Sequence, residues 1–214
     1  MKKYEMIPEG KYFRIRALIS FGYVLEGDLG GLIETENNLS QDGTAWVFDN
    51  ARVSDTARIF GIARVSGNAQ VSGNAWVFGS AEVSGNARVF DNARVFGNVR
   101  VSGNARVFGN ARVSSTVQVS SNAWVFDTAQ VSGNAQVSGN ARVSGDNDYL
   151  CIHPIGSENG VFTAYKSVKG IECNRGCFIG TLEEFENAVK TTHGENKIAQ
   201  EYSQVINLVK LRLQ

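Results

Sequence analysis

The sequence predicts a mainly β fold: a parallel β-helix built from a hexapeptide repeat, with an N-terminal β cap and a small C-terminal α+β domain. Three observations carry this. Seventeen aliphatic residues recur at every sixth position from Val47 to Val143, with no insertion or deletion. Two positions before each stands Ala, or Val at 99 and 117. The composition, 23 Gly against 2 Pro with abundant Asn, Ser and Val, is not that of a mixed globular enzyme.

Residues 1–43 lie outside the repeat. The run Tyr12-Phe13-Arg14-Ile15-Arg16-Ala17-Leu18-Ile19 alternates in character and leads into Phe21-Gly22 and Tyr23-Val24-Leu25. It reads as a hairpin capping the first coil. Ile33 and Leu39 are already six apart, so irregular coils are expected to begin near Gly30-Gly31.

Residues 44–145 form the repeat body, with the motif Ala-x-Val-(Ser/Phe)-(Gly/Asp/Ser)-(Asn/Thr), as in Ala87-Arg88-Val89-Phe90-Asp91-Asn92. Ala and Val are two apart, so on a short strand they share one face, while x and the residue after Val point the other way. Gly-Asn then turns the chain, because both tolerate the left-handed backbone region that a sharp corner needs. Three strand-and-corner units close a triangular coil. Seventeen hexads make about 5.7 coils and a prism roughly 27 Å long at ~4.8 Å per stacked strand. A lone coil cannot bury its Val and Ala, so stability comes from stacking, and both ends need caps.

Residues 146–214 depart from the repeat. Strands are expected at Tyr149–Ile155, Val161–Tyr165 and Ile171–Cys173. Thr181-Leu182-Glu183-Glu184 is a capping box opening a helix with Leu182, Phe185 and Val189 inward, stopped at Gly194. Ile198, Tyr202, Val205, Ile206, Val209 and Leu213 fall at helical spacing. The result is a β-β-β-α-α unit whose last helix is long enough to pack on an aromatic ladder of the repeat or on a partner.

Charge and cysteine usage bound the function. Residues 44–143 hold nine Arg, no Lys and five acids, a net of +4 that the flanks balance. That is too mild for a general nucleic-acid binder. Three cysteines, an odd number confined to the C-terminal part, do not read as a disulfide framework. No apolar stretch follows the basic start as in a secretory signal, and none approaches the ~18 residues of a membrane span. A cytoplasmic protein without membrane contact is expected.

Residues eighteen apart stack on one outer face, giving three columns. The first carries Phe48, then Ser66, Ser84, Ser102, Ser120 and Ser138. The second carries Ser54, Ser72, Phe90, Phe108, Phe126 and Ser144. The third carries Phe60, Phe78, Phe96, Ser114 and Ser132. The phenylalanines thus form two three-high ladders on adjacent faces. Arg88, Arg106 and Trp124 flank the second-face ladder; Arg58, Trp76 and Arg94 flank that of the third. Contiguous outward aromatics mark an interface, a ligand groove or a docked segment. The expected binding residues are Arg88, Phe90, Arg106, Phe108, Trp124, Phe126, Trp76, Phe78, Arg94 and Phe96. Cover by a flanking helix or a neighbouring subunit is the plainer reading. Capture of a small, flat anionic nucleotide-like ligand by Arg and rings is the sharper one.

Catalysis finds little support. Hexapeptide acyltransferases resemble this repeat but place a catalytic His on the solenoid or on a loop extruded from it. Here His153 and His193 both lie outside an uninterrupted repeat. The same absence argues against a three-His zinc site of the solenoid carbonic anhydrase kind. Cys151, His153, Cys173, Cys177 and His193 offer no strong zinc spacing, and small core cysteines are the simpler account. A Cys177–His193 nucleophile pair lacks an assignable third member. No cofactor and no metal are expected. An ice-binding face would need a more regular array than the Ser column.

The aliphatic-inside, small-at-corner pattern resembles the hexapeptide-repeat family, and that resemblance implies a left-handed coil. Gly27-Asp28-Leu29-Gly30-Gly31 through Asn38-Leu39-Ser40 and Gly43–Ala51 resembles the start of uncharacterised hexapeptide-repeat proteins of enterobacteria and their phages. Pro154–Ser157, Gly176-Cys177-Phe178, Gly180–Phe185 and Thr192-His193-Gly194 resemble a small domain of phage and prophage proteins. The resemblance implies a host-cytoplasm setting and, by analogy with solenoids that trimerise, a homotrimer. It also raises a phage-type sponge for a nucleotide immune signal at subunit interfaces. The expectation is a non-catalytic oligomeric scaffold binding a partner or ligand on its Phe/Arg faces, with the sponge second and a degenerate acyltransferase third.

Overall fold

The computed structural model describes residues 2–213; Met1 and Gln214, the outermost residues of the two flanks, lie outside them. The repeat forms a parallel β-solenoid with three sheets, one per face. Each rung pairs with the rung eighteen residues on, as in Arg88↔Arg106 and Val89↔Val107, so three hexads close one coil. The first face stacks six rungs, from Trp46–Val47 to Gln136–Val137, and the third stacks five, from Arg58–Ile59 to Gln130–Val131. The second face is continuous with the N-terminal strands Tyr4–Glu9, Tyr12–Ala17 and Leu29–Ile33 and ends at Arg142–Val143.

Every repeat Val and Ala lies inside, with Val101, Ala105 and Val107 fully buried. At ~1.5–3 kcal/mol per buried Val, this column is the main stabilising term of the prism. Its corners are held by side chains as well as by backbone. Gly103 turns at φ 66°, and a Cβ there would lie 2.9 Å from the Ser121 amide of the next coil. Asn68, Asn86, Asn104 and Asn122 form an amide ladder along one corner, with bonds of 3.2–3.3 Å. Asn74, Asn92 and Asn110 form another. Where Asp replaces Gly, its carboxylate accepts from the Gly amide one coil on: Asp55 from Gly73 and Asp91 from Gly109.

The caps differ in chemistry because the two ends expose different groups. At the start, carbonyls need donors: Lys3 Nζ donates to Ala45 O, Tyr4 Oη to Leu39 O, and Arg14 to Gly30 O. Trp46 is 1 % exposed, with Tyr4 and Phe21 edge-on at 6.0 and 5.3 Å. At the finish most of the capped groups are amides that need acceptors, although Tyr149 Oη also donates to Gln130 O. Gln130 N donates to Asp146, Gln136 N to Thr163 Oγ1 and Ser144 N to Asp148. Burial works against ionisation of Asp148, but bonds from Ser144 and Gly145 and the Lys166 ammonium outweigh it, and its carboxyl sits below the usual value. The hairpin differs from expectation in register: Tyr12–Ala17 pairs with the earlier strand Tyr4–Glu9, and Phe21–Val24 contributes only a single bridge. The coils do begin before the regular repeat, with Ile33 beside Val53 and Leu39 beside Ile59.

The C-terminal sheet has four antiparallel strands rather than three: Tyr149–Ile155, Gly160–Ser167, Gly170–Arg175 and Phe178–Thr181. The short fourth strand, with its central Gly180, carries no alternation visible in the sequence. Helices α1 (Leu182–His193) and α2 (Lys197–Leu213) pack on one side of this sheet, and Tyr165, Thr163 and Asn174 on the other side meet the last coil. Thr181 and Glu184 cap α1 reciprocally, and Gly194 ends it. Among the described residues no helix is long and apolar enough to cross a membrane.

Candidate partner-binding faces

The two ladders form as the eighteen-residue register dictates. Phe60, Phe78 and Phe96 stack at centroid spacings of 4.8 and 5.0 Å with their planes within 6°. Phe90, Phe108 and Phe126 stack at 4.8 and 5.2 Å. Ring spacing equals coil spacing, so each ring covers the next. The rings are half-buried rather than fully exposed for that reason. Each ladder gains one Trp: Trp76 meets Phe60 edge-on at 6.1 Å, and Trp124 meets Phe108 edge-on at 5.9 Å.

Arginines complete both faces. Arg94 lies over Trp76 at 5.0 Å, and Arg106 lies over Trp124 at 5.0 Å. Arg88 lies over Phe90 at 5.6 Å. Trp124 pairs with Arg106 on one side and Arg142 on the other, and Arg142 reaches its ring at 4.2 Å. Such cation–π contacts hold a guanidinium in place at about 0.5–1 kcal/mol each at exposed sites. Among the described residues, Arg58, Arg88, Arg94, Arg106, Arg112 and Arg142 form no ion pair. The first face is different. There Glu82 sits between Arg64 and Arg100 and approaches both, at 3.7 and 3.5 Å.

All ten expected residues are thereby placed on two surfaces, six on the second face and four on the third. Arg112 and Arg142 belong to the same surfaces and were not among them. The signal was available, since each lies eighteen residues beyond an expected member, Arg94 or Trp124. The proposed covering by the last helix is corrected. Helix α2 buries Tyr202, Val205, Ile206 and Val209 against its own sheet and α1, because its apolar stripe matches that sheet and not the ladders. A groove of about 660 Å³ between α1 and α2, lined by Val189, Ala199 and Ile206, is remote from both ladders.

The cysteine and histidine options separate in space. Cys173 is buried in the sheet, and that burial pushes its thiol up to about 12. Cys151 is half-buried, and burial raises its thiol too. Cys177 is exposed in the turn between Gly170–Arg175 and Phe178–Thr181, and His193, at the end of α1, packs against Tyr202 at 6.1 Å. Among the described residues, no three His, Cys, Asp or Glu side chains gather as a metal site.

A solenoid of three-sided coils with an uninterrupted hydrophobic column, capped at both ends, defines a repeat β-solenoid protein. The YdcK β-solenoid repeat model matches residues 63–79, 69–85, 87–103, 93–107, 99–121 and 135–146. Successive matches begin six residues apart in places, as 63 and 69 or 87, 93 and 99 do, which is the hexad period itself. The matched segments lie within the coils and fall short of half the chain. No curated protein matches it.

Proposed function

We propose that this protein is a non-catalytic binding scaffold whose Phe/Arg faces receive a partner. The observation that carries the reading is the contrast between faces. Arginines on the first face have an acid between them, whereas Arg88 and Arg106 on the second, and Arg94 and Arg112 on the third, sit directly opposite each other with none. Like charges in directly opposed positions destabilise a sheet. A surface that keeps such charges beside stacked rings is suited to an external anion.

Self-assembly enters this reading with a constraint. In a closed trimer about an axis parallel to the solenoid, all protomers sit at one height. The ladder centres, Phe78 and Phe108, are thirty residues apart, or about 8 Å along the axis at ~4.8 Å per coil. Ladder-on-ladder packing would therefore be out of step, and a homotrimer would have to form through other contacts. A nucleotide sponge of phage type is the competing reading.

Light scattering on the purified protein, with fluorescence of Trp76 and Trp124 during titration, separates these. The scaffold reading expects an acidic aromatic peptide to shift that fluorescence, with an affinity that falls as salt rises. Uptake of a nucleotide in preference to the peptide would favour the sponge. A chain that binds neither and does not self-associate would sink the scaffold reading.

A further inference from the structure

We infer that the solenoid carries one docking surface twice, so that each chain holds two copies of the same acidic, aromatic-bearing protein partner. This rests on the scaffold reading above and goes beyond it in stoichiometry and partner chemistry.

Apart from one exchanged Trp–Arg pair, the outward side chains of the two ladders correspond under a shift of thirty. Arg58 becomes Arg88, Phe60 becomes Phe90, Phe78 becomes Phe108, Phe96 becomes Phe126 and Arg112 becomes Arg142. The Trp76–Arg94 pair returns in reverse order as Arg106–Trp124. Thirty residues are five hexads. In a coil of three hexads that is a move of one face around the prism and about 8 Å along it at ~4.8 Å per coil. The packing repeats with the sequence. Each face has a three-ring stack beginning at 4.8 Å and one Trp edge-on to a Phe of the preceding coil; that Trp carries one guanidinium at 5.0 Å on the third face and two, at 5.0 and 4.2 Å, on the second. The intervening outward positions are mostly Ser, Gly and Asn, so the duplication is of the binding pattern and not of a generic surface.

Partner chemistry follows from the side chains. Arg, Trp and Phe without Lys is the composition of protein–protein hot spots, where Arg is enriched and Lys depleted. The surfaces are faces of a parallel sheet: the rungs Trp76–Gly79 and Arg94–Gly97 pair evenly out to Gly79 and Gly97. Small molecules are held in concave sites, whereas a flat aromatic face suits a protein surface. The unpaired arginines set the sign of that surface as negative. A second copy of this chain fits poorly, because a ladder meeting itself across a two-fold axis would bring Arg towards Arg, and the three-fold arrangement leaves the ladders about 8 Å out of step.

The test uses the full chain and a short dansylated peptide of alternating Glu and Phe. Native mass spectrometry and calorimetry should give two peptides per chain for the wild type. Phe78→Asp and Phe108→Asp each should leave one, and the double variant none. Arg94→Glu and Arg106→Glu, which alter only outward side chains, should do the same if a Phe variant fails to fold. One peptide per chain, with one of the two faces silent to substitution, overturns the duplication and leaves the scaffold reading intact. No peptide on any form overturns the duplication, and in a chain that also binds no nucleotide and does not self-associate it overturns the scaffold reading as well.

Discussion

Val101 offers the sharpest test of what holds the prism together. It is fully buried and paired with Val83 below and Val119 above, with no polar group offered to it by the interior column. Val101→Ala removes two methyl equivalents, worth ~1.6 kcal/mol in transfer at ~0.8 each, and leaves a small cavity. The expected loss is about 2–3 kcal/mol. Val101→Asp adds a carboxyl with no partner, a penalty of several kcal/mol on top of the lost burial. Against a typical total of ~5–15 kcal/mol, that is enough to open the neighbouring coils. The outward neighbour Ser102 provides the control, since Ser102→Ala should stay within about 0.5 kcal/mol. Urea unfolding measures the first and third effects. Native-state hydrogen exchange measures the second, as lost protection at Val83 and Val119 while the C-terminal sheet amides stay protected. Equal losses for Val101→Ala and Ser102→Ala, or full protection in Val101→Asp, would refute stacking of a buried aliphatic column as the source of stability.

Other outcomes follow from the caps and corners. Trp46→Ala should cost about 3–5 kcal/mol, visible in thermal unfolding, because the N-terminal hairpin closes on that ring. Gly103→Ala should destabilise by about 1–2 kcal/mol, since the left-handed corner disfavours a Cβ and the Ser121 amide stands in its way. Lys3, which burial lowers from 10.5 to about 8 against the pull of Asp42, binds a proton more weakly when folded. Its contribution to stability should therefore rise with pH between about 8 and 10.5, and Lys3→Met should remove that rise in melting experiments. Burial raises the Tyr4 and Tyr165 hydroxyls, which acts in the opposite sense above pH 10, so the comparison of wild type with the variant is what isolates Lys3.

Much of the candidate site was legible because the repeat is strict. A period of six with no insertion means that residues eighteen apart must pair, and the columns of Phe, Trp and Arg can be read off by counting. Arg112 and Arg142 were within reach of the same count. What counting could not supply was the energetics of neighbours: that Arg142 reaches Trp124 opposite Arg106, that the rings half-bury one another, or that Glu82 comes close enough to pair with both Arg64 and Arg100.

By itself, then, the sequence determined the coil: its length, its interior, its corners and the order of side chains along each face. These are consequences of local geometry, alternation on a strand and positive φ at a corner, repeated without error. Only the tertiary structure decided the ends. Tyr4–Glu9, the single bridge at Phe21–Val24, the fourth strand Phe178–Thr181 and the seat of α2 depend on long-range partners, not on periodicity. A stack of coils leaves mostly carbonyls to satisfy at one end and mostly amides at the other, and the flanks are shaped by which donors and acceptors reach them.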